Sequence, residues 1–216
     1  MHTRERILQE ALSLFSEKGY EAVSVRDIAR AVGVKESSLY NHFKNKRDIF
    51  DSIINEFSQR GTEFFERFNI MAADGSFTAD SRTVAVYQQM SSEQFETMAG
   101  FIFDYYFTDE INVKLRKMLT IEQYRSPEAA KLYRDISFDN SLEYQEKLFA
   151  ELMKAGSFVQ ADPQVLALEF FAPIYLIFCK FDNDEQGILR AKELFMRHIR
   201  HFNQLYTVQN SSGQSL

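Results

Sequence analysis

The sequence predicts an all-α protein. Only 3 of its 216 residues are proline and 8 are glycine, so long stretches run without the punctuation an all-β or α/β chain requires. Apolar residues recur at helical spacing through most of its length. Hydrophobic residues make up 45% and charged residues 26%, a balance that folds rather than stays disordered.

Thr3 to Lys18 place Leu8, Ala11, Leu12 and Phe15 on one helix face, and Gly19 ends the run. Ser24 is a good N-cap, with Asp27 three residues on in the usual capping-box Glu position. A second short helix therefore starts near Val25, turns Ile28, Ala29 and Val32 inward, and stops at Gly33. Val34 leads into a third helix with Leu39 and Phe43 on one face. From Lys46 or Arg47 a longer helix runs to about Phe68, and Ala72 to Asp80 reads as a loop. Beyond it the pattern predicts helices over about 81–107, broken near Ser91-Ser92, over 109–124, and over 127–155 after Ser126-Pro127. Asp162-Pro163 opens a helix to about Phe181, the polar link Asp182-Asn183-Asp184 follows, and a last helix spans about Glu185 to Tyr206. The Ser/Gly/Gln-rich end is expected to fray. These elements suggest residues 1–46 as one domain, 47–208 as a second and 209–216 as a flexible tail.

Charge separates the same regions. The whole chain carries a net −6, which alone argues against nucleic acid as a partner, yet residues 1–48 hold nine Lys and Arg against seven Asp and Glu. A mildly basic head on an acidic body suits a head that meets phosphate. The single cysteine, Cys179, excludes an internal disulfide framework and any Cys-based zinc cluster, which points to a reducing cytoplasm. The N-terminus has no signal-peptide apolar block. No run reaches the ~18 uninterrupted apolar residues of a membrane span, and Pro173 and Lys180 interrupt the most apolar segment, so no membrane partner is expected.

The spacing of Ala29, Gly33 and Leu39 suits a helix-turn-helix: a small residue where two helices cross, a turn glycine free to take positive φ, and a leucine that plugs the angle between the helices. With the inward set fixed, Lys35, Glu36, Ser37, Ser38, Asn41 and His42 face outward and are candidates for a major groove. Three packed helices with a solvated polar face would show the outward polar residues alone, without the coincident caps, turn glycine and basic charge.

Ala22-Val23-Ser24-Val25-Arg26-Asp27-Ile28-Ala29, then Gly33-Val34, then Leu39-Tyr40-Asn41-His42-Phe43-Lys44-Asn45-Lys46 resemble the signature of TetR-family regulators, over roughly residues 5–55. The resemblance implies an Ω-shaped homodimer in which a long helix joins each DNA-binding head to a ligand-binding body, most often a repressor released by a small molecule. It implies that Ser24 meets a phosphate, helped by its helix N-terminus, that Lys35, Ser37 and Ser38 open the recognition helix, that Tyr40 and His42 lie against backbone or groove wall, and that Lys46 grips a phosphate. Lys35 has a donor suited to guanine and Asn41 one suited to adenine, while Glu36 either accepts from cytosine or faces solvent.

Residues 49–206 hold no nucleophile–base motif, phosphate loop or paired-carboxylate pattern, so neither an enzyme nor a cofactor is expected. They are rich in aromatics, which at helical spacing are usually core but also suit an apolar ligand cavity. By resemblance, Phe103, Tyr106, Phe138, Phe171 and Tyr175 are candidate walls for an apolar or aromatic effector, and the last two helices form a dimerisation hairpin. Ile174, Phe178, Phe195, Ile199, Phe202 and Tyr206 are its candidate interface. His198 and His201 sit three apart, but no carboxylate or Cys joins them at ligand spacing, so no metal is expected. The partners expected are a pseudo-palindromic double-stranded operator, a second copy of the chain and a small effector. A TetR-like activator or a ligand-independent DNA binder shares every one of these residues, and an enzyme or ligand carrier with a vestigial helix-turn-helix would differ by lacking salt-dependent DNA binding.

Overall fold

A computed structural model describes residues 2–182, 184 and 186–208. All its regular elements among these residues are helical, with two isolated β-bridges, Met71 to Phe77 and Phe158 to Thr207. The chain divides into two compact units, residues 1–63 with 109–135, and residues 64–108 with 136–216. The first unit thus extends beyond residue 46 and takes in a segment from the middle of the chain.

In that unit α1 (Thr3–Lys18), α2 (Val25–Val32) and α3 (Glu36–Tyr40) precede α4 (Lys46–Glu66). Each stop has a local cause. Gly33 takes a left-handed φ of 76°, which lets its N–H and that of Val34 close on the end of α2. Arg6 reaches across from α1 and donates to the Val32 carbonyl at 2.6 Å, a cationic cap on the negative end of α2. Asn45 Oδ1 accepts from the Asp48 N–H at 2.9 Å and Asp48 Oδ2 accepts from the Lys44 N–H at 2.8 Å, which fixes where α4 begins. The third helix is shorter than its apolar pattern suggested: it ends at Tyr40, and Phe43 is buried from the turn beyond it. The core holds Ile7, Leu8, Phe15, Ile28, Leu39 and Ile49. On α1 packs α7 (Glu110–Glu122), with Leu115, Met118 and Leu119 buried, followed by α8 (Pro127–Arg134).

The second unit holds α5 (Ser81–Gln89), α6 (Ser92–Phe107), α9 (Asn140–Lys154), α10 (Pro163–Phe181) and α11 (Ile188–Tyr206). The expected break near Ser91 is present, made by a capping box in which Ser91 and Gln94 exchange hydrogen bonds. The helix expected over 127–155 runs without a gap from Pro127 to Lys154 but is not α throughout: five residues, Asp135–Asp139, form a π-helical segment between α8 and α9. Such a bulge leaves no mark on a 3.6-residue apolar period until its extra residue shifts the phase. The last helix begins at Ile188 rather than near Glu185; Asn183, Glu185 and the tail from 209 lie outside the described residues.

Of the helices, α10 is long and apolar enough to cross a membrane by length and composition, with mean hydropathy 1.6 over its best window. Here it packs on α9 and α11, burying Leu166, Ala167, Ile174, Ile177 and Phe181. Its other face, Val165, Leu168, Ala172, Leu176 and Cys179, is exposed.

Candidate nucleic-acid interface

The geometry around Gly33 makes a helix-turn-helix. Ala29 is 3% exposed and Leu39 1%, so the small residue and the plug are both in the core as their spacing required. This turns Lys35, Ser37 and Tyr40 outward, with Ser38 and Glu36 half-buried beside them. Tyr40 is 52% exposed, far more than an aromatic ring with a packing role. Asn41 and His42 are exposed too, but as part of the turn after α3 rather than on its helical face. Glu36 pairs with Arg26 of α2 at 3.5 Å. The Arg26 side chain is 76% exposed and that of Glu36 40%, so the pair is worth at most about 1 kcal/mol and leaves either side chain free to turn elsewhere.

Two of the expected phosphate contacts are already engaged. The Ser24 hydroxyl donates to Asp27 Oδ2 at 2.5 Å, and the Ser24 N–H donates to the same oxygen at 3.0 Å. A hydroxyl spent on Asp27 is not offered to phosphate; what remains at this end of α2 is the positive helix terminus itself. Lys46 donates to the Tyr20 carbonyl at 2.8 Å and lies 4.1 Å from the centre of the Tyr20 ring. An ammonium has three donors, so this contact anchors Lys46 while leaving two for solvent or phosphate.

Asp27 gives a pH prediction. Hydrogen bonds from Ser24 hold its carboxyl below the ordinary 3.8. A depressed folded-state pKa contributes stability that is present above the unfolded value and lost as pH falls through the folded one. The N-terminus of α2 should therefore loosen only below about pH 3.8. The Ser24 and Asp27 amides report it in an NMR titration; loss of the cap at pH 5 would contradict the assignment.

The five candidate pocket walls do not share one surface. Phe103 is 1% exposed and stacked on Phe107 at 4.1 Å, so it is closed core rather than wall. Tyr106 is half-buried against Phe65, Tyr105 and Phe178, deep enough that burial pushes its phenol pKa well up. Phe138, in the π-helical segment, meets Tyr175 at 4.7 Å, and Phe171 lies 6.5 Å from the same ring. An open cleft of about 490 Å³ between α6 and α11 involves none of the five; it is lined by Glu93, Glu96, Thr97, Gly100, Lys192 and Met196.

Four of the six interface candidates lie inside the single chain. Ile174, Phe195, Ile199 and Phe202 are 7%, 3%, 3% and 3% exposed within the single chain. A side chain already buried has no surface left to give a partner. Phe178 stacks on Phe107 at 4.1 Å, and the Tyr206 hydroxyl donates to Glu169 at 2.5 Å. The exposed apolar residues of the hairpin are instead Val165, Leu168, Leu176, Leu189 and Leu205. Sequence could not separate the two faces, because both are apolar at helical period. Of the two histidines singled out there, His201 is exposed, while His198 has Nε2 2.7 Å from the Phe170 carbonyl, and burial lowers its pKa.

Three residues of the first unit drew no notice in the sequence. Tyr20 sits in the α1–α2 corner; its N–H donates to Glu122 Oε1 at 2.8 Å, and Arg125 donates to that same oxygen at 3.1 Å. Glu122 stands 102 residues from Tyr20, and neither it nor Arg125 has a local pattern to mark it.

Among the described residues every regular element is helical, and the buried Ala29 and Leu39, joined by the turn at Gly33, present an exposed polar edge: the head is a helix-turn-helix. The family model of bacterial regulatory proteins, tetR family, matches residues 7–53. Over this segment the chain is similar to the DNA-binding head of that family. Over 99 residues it is 31% identical to the biofilm operon icaADBC HTH-type negative transcriptional regulator IcaR of Staphylococcus epidermidis, covering 41% of this chain and 54% of the relative. IcaR of Staphylococcus aureus strain Newman is 41% identical over 51 residues, 24% of this chain and 27% of the relative. The chain thus spans from about a quarter to about half the length of these relatives. Across nearly the full chain the fold is similar to that of SmeT, the repressor of the Stenotrophomonas maltophilia multidrug efflux pump SmeDEF, with TM-score 0.64 and 20% identity over 100% of this chain and 96% of SmeT. For SmeT in complex with triclosan the TM-score is 0.67 at 19% identity, over 100% of this chain and 97% of that one.

Proposed function

We propose that the chain is a cytoplasmic, homodimeric transcriptional repressor that binds a pseudo-palindromic operator and leaves it when a small apolar or aromatic molecule binds the body. The observation that carries this reading is the exposed edge from Lys35 to His42, held on a corner whose Ala29 and Leu39 are almost wholly buried. Phosphate contacts would set register, and the side chains at the start of α3 would read bases. IcaR and SmeT, both named as negative regulators or repressors, favour repression over activation.

The open face of α10 supports a dimer. Val165, Leu168, Ala172, Leu176 and Cys179 follow at i, i+3, i+7, i+11 and i+14, one continuous stripe that a second copy would cover. Two heads so joined would meet half-sites one helical turn apart, roughly 34–36 Å. For the effector, Phe138, Phe171 and Tyr175 offer aromatic walls at a π-helical segment, a feature frequent at functional sites. SmeT has been solved in complex with triclosan.

The test is fluorescence anisotropy of the full chain on duplexes enriched from a random pool, across a salt series, beside unrelated DNA. Selective binding that weakens steeply with salt is the expected result; no selectivity from any pool would overturn the reading. Tyr40→Ala should weaken binding about tenfold, the scale of one hydrogen bond to a charged group, and leave thermal stability unchanged because the ring is 52% exposed. Lys46→Ala should weaken binding and also lower stability, since Lys46 holds the Tyr20 carbonyl. Unchanged affinity in both variants would remove them from the interface.

A further inference from the structure

Both main-chain polar groups of Tyr20 are held by side chains from distant segments. Its N–H donates to Glu122 of α7, 102 residues away, and its carbonyl accepts from Lys46 at the start of α4, each at 2.8 Å. The Val23 N–H also closes on that carbonyl at 3.4 Å, and Ser24, the cap of α2, comes next. The corner is therefore tied on one side to α4 and on the other to α7.

The α7 side is closely built. Glu122 is 5% exposed, and its Oε1 collects both the Tyr20 N–H and the Arg125 guanidinium. A Cβ placed on Gly19 would come within 2.6 Å of Arg125 Nη1, and Gly19 holds φ at +80°. Further along α7, Lys114 donates to Ser13 of α1 at 2.8 Å, and the N-cap residue Asp109 accepts from Arg60 of α4 at 2.9 Å. A hydrogen bond to a buried carboxylate is among the stronger ones, and an N–H left unpaired there carries its full desolvation cost.

We propose that Glu122 is a positioning residue for DNA binding: by holding the Tyr20 N–H it fixes where α2 starts, and with it the α2 terminus and the α3 edge relative to α4. The proposal rests on the DNA-binding reading above. It makes the C-terminus of α7, which lies outside the matched segment 7–53, part of the working head and an input through which that head is set without touching DNA.

The test compares Glu122→Leu and Glu122→Gln with the unaltered full chain on the duplex that chain itself enriches, across a salt series. Glu122→Leu should bind about ten- to a hundredfold more weakly at every salt concentration, the scale of a lost hydrogen bond to a charged group. Its log–log salt slope should not change, because no phosphate contact is removed. Glu122→Gln keeps an acceptor for the Tyr20 N–H and should stay within about threefold. Equal loss in both variants, an affinity of Glu122→Leu equal to the unaltered chain, or a slope reduced by about one would each overturn the positioning role. Native-state hydrogen exchange needs neither variant nor DNA: the Tyr20 amide should exchange as slowly as the core amides of α1, and exchange at the rate of an open loop would overturn the proposal. Failure of the unaltered chain to select any duplex would instead overturn the DNA-binding reading and leave the exchange result to decide whether the clamp exists.

Discussion

Phe15→Ala should destabilise the N-terminal unit by about 3–5 kcal/mol, the usual range for emptying a buried aromatic site. Phe15 has no exposed surface, and its ring lies 5.4 Å from Tyr20 and 6.3 Å from Phe50, which are 5.3 Å from each other. Three rings from α1, the α1–α2 corner and α4 thus support one another, and the cavity would open beneath the ring that carries the Lys46 ammonium. Small neighbours collapse into a void more readily than a triad of rings held from three segments, which places the expected cost high in the range. Urea denaturation followed by circular dichroism, with hydrogen exchange to assign the loss to residues 1–63, measures it. A change below about 1 kcal/mol would mean that the site repacks. Because the corner also sets the start of α2, DNA affinity should fall further than for Tyr40→Ala, even where the protein is still largely folded.

What could be read in the chain itself was whatever depends on neighbours within one or two turns. The caps at Ser24 and Asp162, the break at Ser91 and the stop at Gly33 are chemistry between residues two to four apart, and each is where its residues suggested. The helix-turn-helix was legible for the same reason: Ala29, Gly33 and Leu39 act within an eleven-residue window. Three kinds of feature were not. The π-helical segment at Asp135–Asp139 differs from an α-helix by a phase shift that a run of mixed residues hides. The hairpin has two apolar faces, and periodicity reports that a face exists without saying whether Phe195 and Ile199 turn to their own body or to another copy. The tie between Tyr20 and Glu122 spans 102 residues, and a lone glutamate on an amphipathic helix reads as solvated until something is found to meet it. The DNA-facing residues of α3 were legible as exposed polar positions, and the Ser24 hydroxyl is taken by the Asp27 of its own local capping box, yet the amine of Lys46, expected on phosphate, has an intramolecular partner that only packing reveals.

The stripe on α10 yields the second large effect. Leu176 is 66% exposed at the middle of a line running from Val165 to Cys179, on a helix whose opposite face is already packed. If a second copy covers this line across a two-fold axis, each substitution enters the interface twice. Leu176→Glu would then place two carboxylates in an apolar contact, where an unpaired charge costs several kcal/mol. Dissociation of a micromolar dimer requires less than that, so sedimentation should show the variant as a 25.3 kDa monomer while the unaltered chain runs as a dimer. The fold itself should hold, because the side chain is exposed in the single chain and the core residues Ile174 and Ile177 are untouched. Operator binding should collapse by more than about a hundredfold, since a single head keeps only one half-site and loses the effective concentration that ties the second head to the first. Retention of the dimer by Leu176→Glu would place the self-contact on another face, and the stripe would then need a different occupant. A monomer that nonetheless keeps full operator affinity would remove dimerisation from the mechanism, and release by an effector would have to act within one head, through the segment that holds Tyr20.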